Sequence, residues 1–388
     1  MSLSSAASVR RLADRLVRRA KQLIGRPDPS PWVLLPDKGR RAPGRGGERY
    51  ADFMFGLDYL SNNARLARLF HEAMAPYGLS VLLVNDHNVE RMIRDVEGGR
   101  VVPHVYLDLC SRPGSRHEQL LNAAAKAGAH TLRNPAHEKW TLKAYAHPLL
   151  EQAGLPMPPS VILRAGEADR ELTADERRRV GDRCVIKPSF GEMARGVVAN
   201  VKPTLEAITA ARDYNRKFDW LVQRMMTWGR LGNRHAYVRA YNILGHRSIL
   251  WWANHHHSYG QVTWEEAHRY DLLPCLDVTN KLAELSGMEF FSTEIAITGG
   301  SGMNRFCLID YINDCCDLDP EAANNHPPEG WVKWVCERFA EFTWRKKHGL
   351  GPGENHTVYL GPAEPGRTLA AVNGMETAGA SASVTSAA

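Results

Sequence analysis

The sequence predicts a mixed chain, a small parallel α/β unit followed by a larger α+β part built on antiparallel strands. Three observations carry this. Between residues 61 and 132 short apolar runs of strand length alternate with helical patterns over short links, which is how a parallel layer reads. From residue 134 onward strands come in adjacent pairs with helices interspersed, an antiparallel arrangement. With 44% apolar and 24% charged residues among 388, the composition is that of an ordinary globular protein and excludes disordered, fibrous and coiled-coil chains.

Residues 1–45 read as a basic arm and linker. They hold eleven Lys and Arg against three Asp, leaving 38 against 40 acids elsewhere, so the net charge of +6 is local and the body is nearly neutral. Val9, Leu12, Leu16, Ala20, Leu23 and Ile24 recur at helical spacing, with Arg10, Arg11, Arg15, Arg18 and Arg19 on the remaining surface. Such a helix suits a surface or oligomer contact, an anionic membrane or nucleic acid touched by residues 1–30, or an organellar presequence. The sequence leaves the oligomeric state open. No run reaches 18 apolar residues, so no membrane-spanning helix is expected. Seven Cys without a secretory apolar stretch after the N-terminus predict reduced thiols in a cytoplasmic protein.

The α/β unit spans residues 46–133. Its elements are a helix at 61–76, strand Leu79–Val84, a helix at 88–95, strand Val102–Leu109, a Ser111-Arg112-Pro113-Gly114 turn, a helix at 115–127 and a short strand near His130–Leu132. A first α+β subdomain spans 134–220. A helix over 137–153 stops at Gly154 before Pro156-Met157-Pro158-Pro159, and strand Ser160–Leu163, a helix at 173–179, strand Cys184–Lys187 and a helix at 204–213 follow. A second spans 221–347, with strand Leu221–Arg224, a hairpin of Ala236–Leu244 with Arg247–Ala253, a helix at 275–287, strands Glu289–Ile297 and Arg305–Ile312, and a closing helix at 331–347. Residues 348–388 are expected to be a disordered tail, its last 28 residues being rich in Ala, Gly, Ser and Thr.

Three features carry chemistry. In Val185-Ile186-Lys187-Pro188-Ser189-Phe190-Gly191-Glu192-Met193-Ala194-Arg195-Gly196 a strand delivers a lysine and then a loop. A lysine there is a point charge for a phosphate oxygen, and small residues let backbone N–H groups approach a polyphosphate. The G-x-x-x-x-G-K-[ST] order of a P-loop is absent. In Leu221-Val222-Gln223-Arg224-Met225-Met226 a strand runs into a loop whose backbone can read an adenine edge, with Met as an adaptable apolar wall. In Ser292-Thr293-Glu294-Ile295, with Leu308-Ile309-Asp310-Tyr311-Ile312-Asn313-Asp314 following, two antiparallel strands would set Glu294 beside Asp310 on one face. Two carboxylates and an amide oxygen are hard ligands for Mg²⁺, and two buried acids without a cation would raise each other's pKa. His255-His256-His257 and Cys315-Cys316 lack metal-ligand spacing and read as a loop and as buried thiols.

Taken in order, these features resemble the ATP-grasp superfamily, of the D-alanine ligase, glutathione synthetase and RimK-like type. The resemblance covers about residues 134–347 with a preceding α/β domain, and implies two α+β subdomains that sandwich ATP. It implies that Lys139, in Glu138-Lys139-Trp140-Thr141, is the first phosphate lysine and Lys187 the second, with Ser189, Gly191 and Gly196 in the loop over the phosphates. Gln223, Arg224, Met225 and Met226 would form the adenine hinge, and Glu294, Asp310 and Asn313 would ligate one or two Mg²⁺ ions.

The metal motif departs from the family's acid-x-Asn by one residue, so either a bulge returns Asn313 to the metal or Asp314 replaces it. Ser292 stands where several relatives carry an Arg that steadies the acyl phosphate, leaving that role to Arg239 or Arg269. No ribose-binding acid is identifiable after the hinge. Asp108 or Arg112, at a strand end of the first domain, are candidates to touch the second substrate. The implied activity is ATP- and Mg²⁺-dependent joining of a small-molecule or peptide carboxylate to an amine or thiol through an acyl phosphate. The competing readings are a kinase acting on a small-molecule hydroxyl and a nucleotide-binding scaffold tethered by the basic arm.

Overall fold

A computed structural model describes residues 33–34, 49–57, 63–133, 137–191, 194–253, 258–299, 302–320, 326–351, 353 and 356–361. The arm helix, His255–His257 and the tail beyond residue 361 lie outside the described residues.

The first sheet has the strand order β1-β3-β2-β4-β5, made of β1 (Val33–Leu34), β2 (Arg49–Gly56), β3 (Val81–Val84), β4 (Val101–Asp108) and β5 (His130–Thr131). Strands β2 to β5 pair in parallel, as the alternation predicts. β1 joins the edge antiparallel to β3, from within the stretch expected to be only arm and linker. Helices α1 (Asn63–Met74), α2 (Val89–Glu97) and α3 (Arg116–Lys126) complete the layer. The central strand β2 was not expected. Ala51, Phe53, Met54 and Phe55 are all buried, so the strand lacks the alternation by which a half-buried one is read. Its buried Asp52 is satisfied by the Ser80 N–H at 2.8 Å and Lys347 Nζ at 2.9 Å.

After α4 (Lys143–Gln152) comes a four-stranded antiparallel sheet. Its order is β6-β9-β7-β8, formed by β6 (Ser160–Leu163), β7 (Cys184–Pro188), β8 (Val198–Val201) and β9 (Trp220–Arg224). Helices α5 (Ala174–Val180) and α6 (Leu205–Arg212) cover it over a core of Val161, Leu163, Ile186, Ile208, Trp220 and Val222. A Thr173–Glu176 capping box starts α5. The boundary expected between residues 220 and 221 falls inside β9, an interior strand of this sheet, so the crossing to the next sheet comes after Arg224.

A short hairpin of β10 (Arg230–Leu231) and β11 (Arg234–His235) leads to the largest sheet. Its order is β14-β13-β12-β15-β16, formed by β12 (Tyr237–Ile243), β13 (His246–Ala253), β14 (Ser258–Gln261), β15 (Phe290–Ile297) and β16 (Phe306–Asn313). Helices α7 (Trp264–Arg269) and α8 (Pro274–Ser286) lie between β14 and β15 in sequence, and Val278 and Leu282 of α8 pack on Val238, Ile249 and Phe291. Helix α9 (Glu329–Lys347) joins the first sheet to the largest one. Its Phe339 ring lies 5.6 Å from Phe53 and 5.4 Å from Phe290. Part of the expected tail is ordered: β17 (Val358–Tyr359) pairs in parallel with β13, because Val358 and Leu360 bury their side chains in the same core.

Candidate active site

The four-stranded sheet and the largest sheet meet across a cluster of charges. On the largest sheet Glu294 pairs with Asp310 in register, side by side as the spacing predicts. The next pair is Ser292 with Asn313, so β16 uses three steps where β15 uses two. This bulge brings Asn313 back to the face of Glu294 and Asp310. Asp314 goes elsewhere. It pairs with Arg133 Nε at 2.9 Å, and burial raises its carboxyl despite that partner.

Arg239 sits opposite Glu294 on β12 and donates from Nη2 to Glu294 Oε1. Its Nη1 donates to the Tyr259 hydroxyl at 3.0 Å, and its guanidinium lies 4.3 Å from the Trp252 ring centre. The second Glu294 oxygen accepts from the Tyr237 hydroxyl at 2.8 Å. On the facing wall Lys187 ends β7 almost fully buried. Its Nζ donates to the Ile309 carbonyl at 2.8 Å and lies 5.4 Å from the Tyr311 ring centre. Lys143 opens α4 with its Nζ 3.2 Å from Asp310 Oδ1.

The electrostatics follow from this packing. Burial pushes Lys187 down to about 8, with Asp310 and Glu294 pulling the other way. Burial also acts to raise Asp310, but Lys143, Lys187 and Arg239 outweigh it and hold the carboxyl below its ordinary value. The two lysines are fastened to each other through the backbone. Ser189, just past β7, accepts the Lys143 N–H at its carbonyl and the Ala144 N–H at its hydroxyl, both at 2.9 Å. Two orphan donors of the α4 N-terminus are thereby satisfied by the strand that carries Lys187.

A buried polar chain underlies the cluster. The Gln223 amide donates to Ser160 Oγ at 3.2 Å and to the Tyr311 hydroxyl at 3.1 Å, and that hydroxyl lies 2.6 Å from His147 Nδ1. Burial holds His147 down at about 4, so the imidazole is neutral.

No family model and no curated protein matches the sequence. Among solved structures the chain is similar to a RimK-domain ATP-grasp protein from Sphaerobacter thermophilus DSM 20745, with 18% identity over 75% of this chain and 98% of that one and a TM-score of 0.53. It is also similar to the D-cycloserine synthetase DcsG, with 11% identity over 75% of this chain and 99% of that one and a TM-score of 0.52. The chain has the ATP-grasp fold.

Within that fold the expected site residues divide. Lys187, Glu294, Asp310, Asn313 and Arg239 come together on the two facing walls. Lys139 does not join them. It lies in a short 3₁₀ turn, Glu138–Thr141, with its Nζ 5.1 Å from the Tyr145 ring centre. Lys143, four residues later, is the lysine that stands beside Asp310. The helix read over 137–153 begins at Lys143.

Ser189 caps α4 instead of lining the loop, while Gly196 is required by geometry. It has φ of +75°, and a Cβ there would lie 2.7 Å from the Tyr214 ring. Gly191 opens the same loop, whose Glu192 and Met193 lie outside the described residues. At the hinge the Arg224 and Met225 N–H groups are taken by the Pro159 and Arg183 carbonyls at 2.8 and 3.0 Å, so they are not donors for a base edge. Met226 packs instead among Tyr237, Trp252 and Cys307 of the largest sheet. Arg269 is exposed on α7 and paired with Glu265, which leaves Arg239 as the arginine beside the carboxylates. Asp108 Oδ1 is occupied by the Cys110 and Ser111 N–H groups at 3.1 and 3.0 Å, anchoring their turn.

Glu294, Asp310 and Asn313, the residues expected to ligate Mg²⁺, lie close together on the two adjacent strands, and the Asn313 Oδ1 accepts the Cys315 N–H at 3.1 Å. Oxygen donors on one face of two adjacent strands fit a hard divalent cation. Both carboxylates face cationic side chains, Asp310 with Lys143 and Glu294 with Arg239. Sequence reasoning missed Lys143, Tyr311 and His147, and a helix boundary set by an N-cap in another segment has no local signal. No helix among the described residues is long and apolar enough to cross a membrane.

Proposed function

We propose that the chain is an ATP- and Mg²⁺-dependent ligase that joins a carboxylate to an amine through an acyl phosphate. The observation that supports this most is the meeting of Glu294 and Asp310 with Lys143 and Lys187. Phosphoryl transfer asks chiefly for positioning and charge neutralisation. Lys143 and Lys187 bind phosphate oxygens, and Arg239 orients the carboxylate. Mg²⁺ held by Glu294, Asp310 and Asn313 would supply further neutralisation at the phosphates. A carboxylate oxygen bonds to the γ-phosphorus as ADP leaves. The amine nitrogen then bonds to the acyl carbon as phosphate leaves, and the amine proton passes to solvent. The parallel sheet serves as the domain before the grasp, and the two antiparallel sheets serve as its jaws.

ADP release, assayed with pooled carboxylic acids, Mg²⁺ and hydroxylamine, tests the reading, because hydroxylamine converts acyl phosphates into hydroxamates. A hydroxamate that disappears in Lys187→Ala is expected. A stable phosphate ester formed without any amine would make the chain a kinase, and absence of ATP binding would overturn the enzyme reading altogether.

A further inference from the structure

Arg239 is a closely confined charge of the site. It is 9% exposed, lies against Trp252, and is bonded to Tyr259 and Glu294. These two hydrogen bonds use only part of its donor fork, and the buried Nε has no hydrogen-bond partner among the described residues. Glu294 is engaged in turn, since one oxygen accepts from Arg239 and the other from Tyr237. Asp310 and Asp317 also lie within the field of this guanidinium.

A divalent cation approaching Glu294 therefore meets a carboxylate whose charge the adjoining guanidinium already balances. The same guanidinium, with an unfilled donor, is suited to an incoming planar anion. We infer that Arg239 is an exchangeable counter-ion that keeps Glu294 closed to a divalent cation until an anionic group of the bound substrates takes the guanidinium. This rests on the reading of Glu294 and Asp310 as the metal side of an ATP-dependent site. It adds an order of events: nucleotide or carboxylate first, metal on Glu294 second. The group that draws Arg239 away is a carboxylate or phosphate oxygen, which present the same acceptor chemistry.

Mn²⁺ binding to the full-length chain, followed by electron paramagnetic resonance, tests this without turnover. Wild type, Arg239→Met and Arg239→Lys are compared alone, with acetate, and with the non-hydrolysable nucleotide AMPPNP after subtraction of the Mn²⁺–AMPPNP complex. Wild type alone is expected to bind weakly. Arg239→Met alone should bind at least about tenfold more tightly, because its buried carboxylate has lost its partner. Arg239→Lys, which keeps the charge, should stay near wild type. A gain in wild type with acetate identifies carboxylate as the displacing group, and a gain with AMPPNP alone identifies phosphate. Either supports the exchange, and a gain with neither overturns it.

Equal nucleotide-free affinity in Arg239→Met and wild type, with AMPPNP recruiting Mn²⁺ to both, overturns the counter-ion role and leaves the proposed function standing. Absence of Mn²⁺ from every sample overturns both. Circular dichroism checks folding. Arg239→Gln, which keeps a donor for Glu294 without the charge, repeats the comparison if Arg239→Met does not fold.

Discussion

The two walls of the cleft hold their charges by different means. Lys187 of the four-stranded sheet, and Lys143 of the helix fastened to it, are placed by the backbone. One opens a helix, the other ends a strand, and Ser189 binds helix to strand through two N–H groups. On the side of the largest sheet Glu294 and Arg239 are placed by side chains, each by the other and by the Tyr237 and Tyr259 hydroxyls, while Asp310 is paired with Lys143. Removing Lys187 therefore deletes a charge and leaves its strand fastened through Ser189, whereas removing Lys143 also takes the ion-pair partner from Asp310. Removing an acid leaves its cationic partners buried without compensation, an effect that spreads because such groups are coupled.

The largest effect should come from the side-chain wall. Asp310→Asn keeps the shape and removes the charge that faces both lysines, and ADP release should fall by about 10³-fold or more. Activity within tenfold of wild type would show that the acid wall does not carry the metal. The next effect, on the backbone wall, separates two lysines four residues apart. Lys143→Ala should weaken nucleotide binding or turnover by roughly 10²-fold, while Lys139→Ala stays within about twofold. The reverse ranking, measured by calorimetry with AMPPNP, would return the phosphate contact to Lys139.

Much of this arrangement is legible in the sequence because the strands that carry it are short apolar runs bounded by turn residues. Ser160–Leu163, Cys184–Pro188, Phe290–Ile297 and Phe306–Asn313 emerge within a residue or so of expectation, and with them the facing of Glu294 and Asp310. The elements that were not legible depend on other parts of the chain. β2 is buried on both faces and shows no period. β14, Ser258-Tyr-Gly-Gln, has a single bulky apolar residue and is a strand because the edge of β13 offers it a ladder. Val358–Tyr359 is paired for the same reason at another point on β13. Lys143 was passed over because the start of α4 is set by Ser189, 46 positions away in the chain. The spacing leaves Asn313 and Asp314 as alternatives, and the structure separates them, with Asn313 opposite Ser292 and Asp314 paired with Arg133 of the first domain.

The smallest effect sharpens the comparison from the side of the lysines. A side chain placed by the backbone cannot move away from burial, so Lys187 titrates early, at about 8 against the ordinary 10.5. The folded chain thus binds fewer protons than the unfolded one between these two values. This lysine accordingly penalises folding below about pH 8, and the penalty is relieved as the pH rises toward 10.5. Nucleotide binding has the opposite sign. Polyphosphate beside Nζ favours the ammonium form, so above about pH 8 each nucleotide bound should take up close to one proton. Affinity should then fall by up to about tenfold per pH unit. Calorimetry at about pH 7 and about pH 9, in pairs of buffers with different ionisation enthalpies, reads the uptake directly. It should be near zero at the lower pH and near one proton at the higher, and Lys187→Arg should abolish it, because a guanidinium stays charged at both. If uptake at about pH 9 persists in Lys187→Arg, the titrating group is not the strand-end lysine and the rigid wall does not account for the pH dependence of binding.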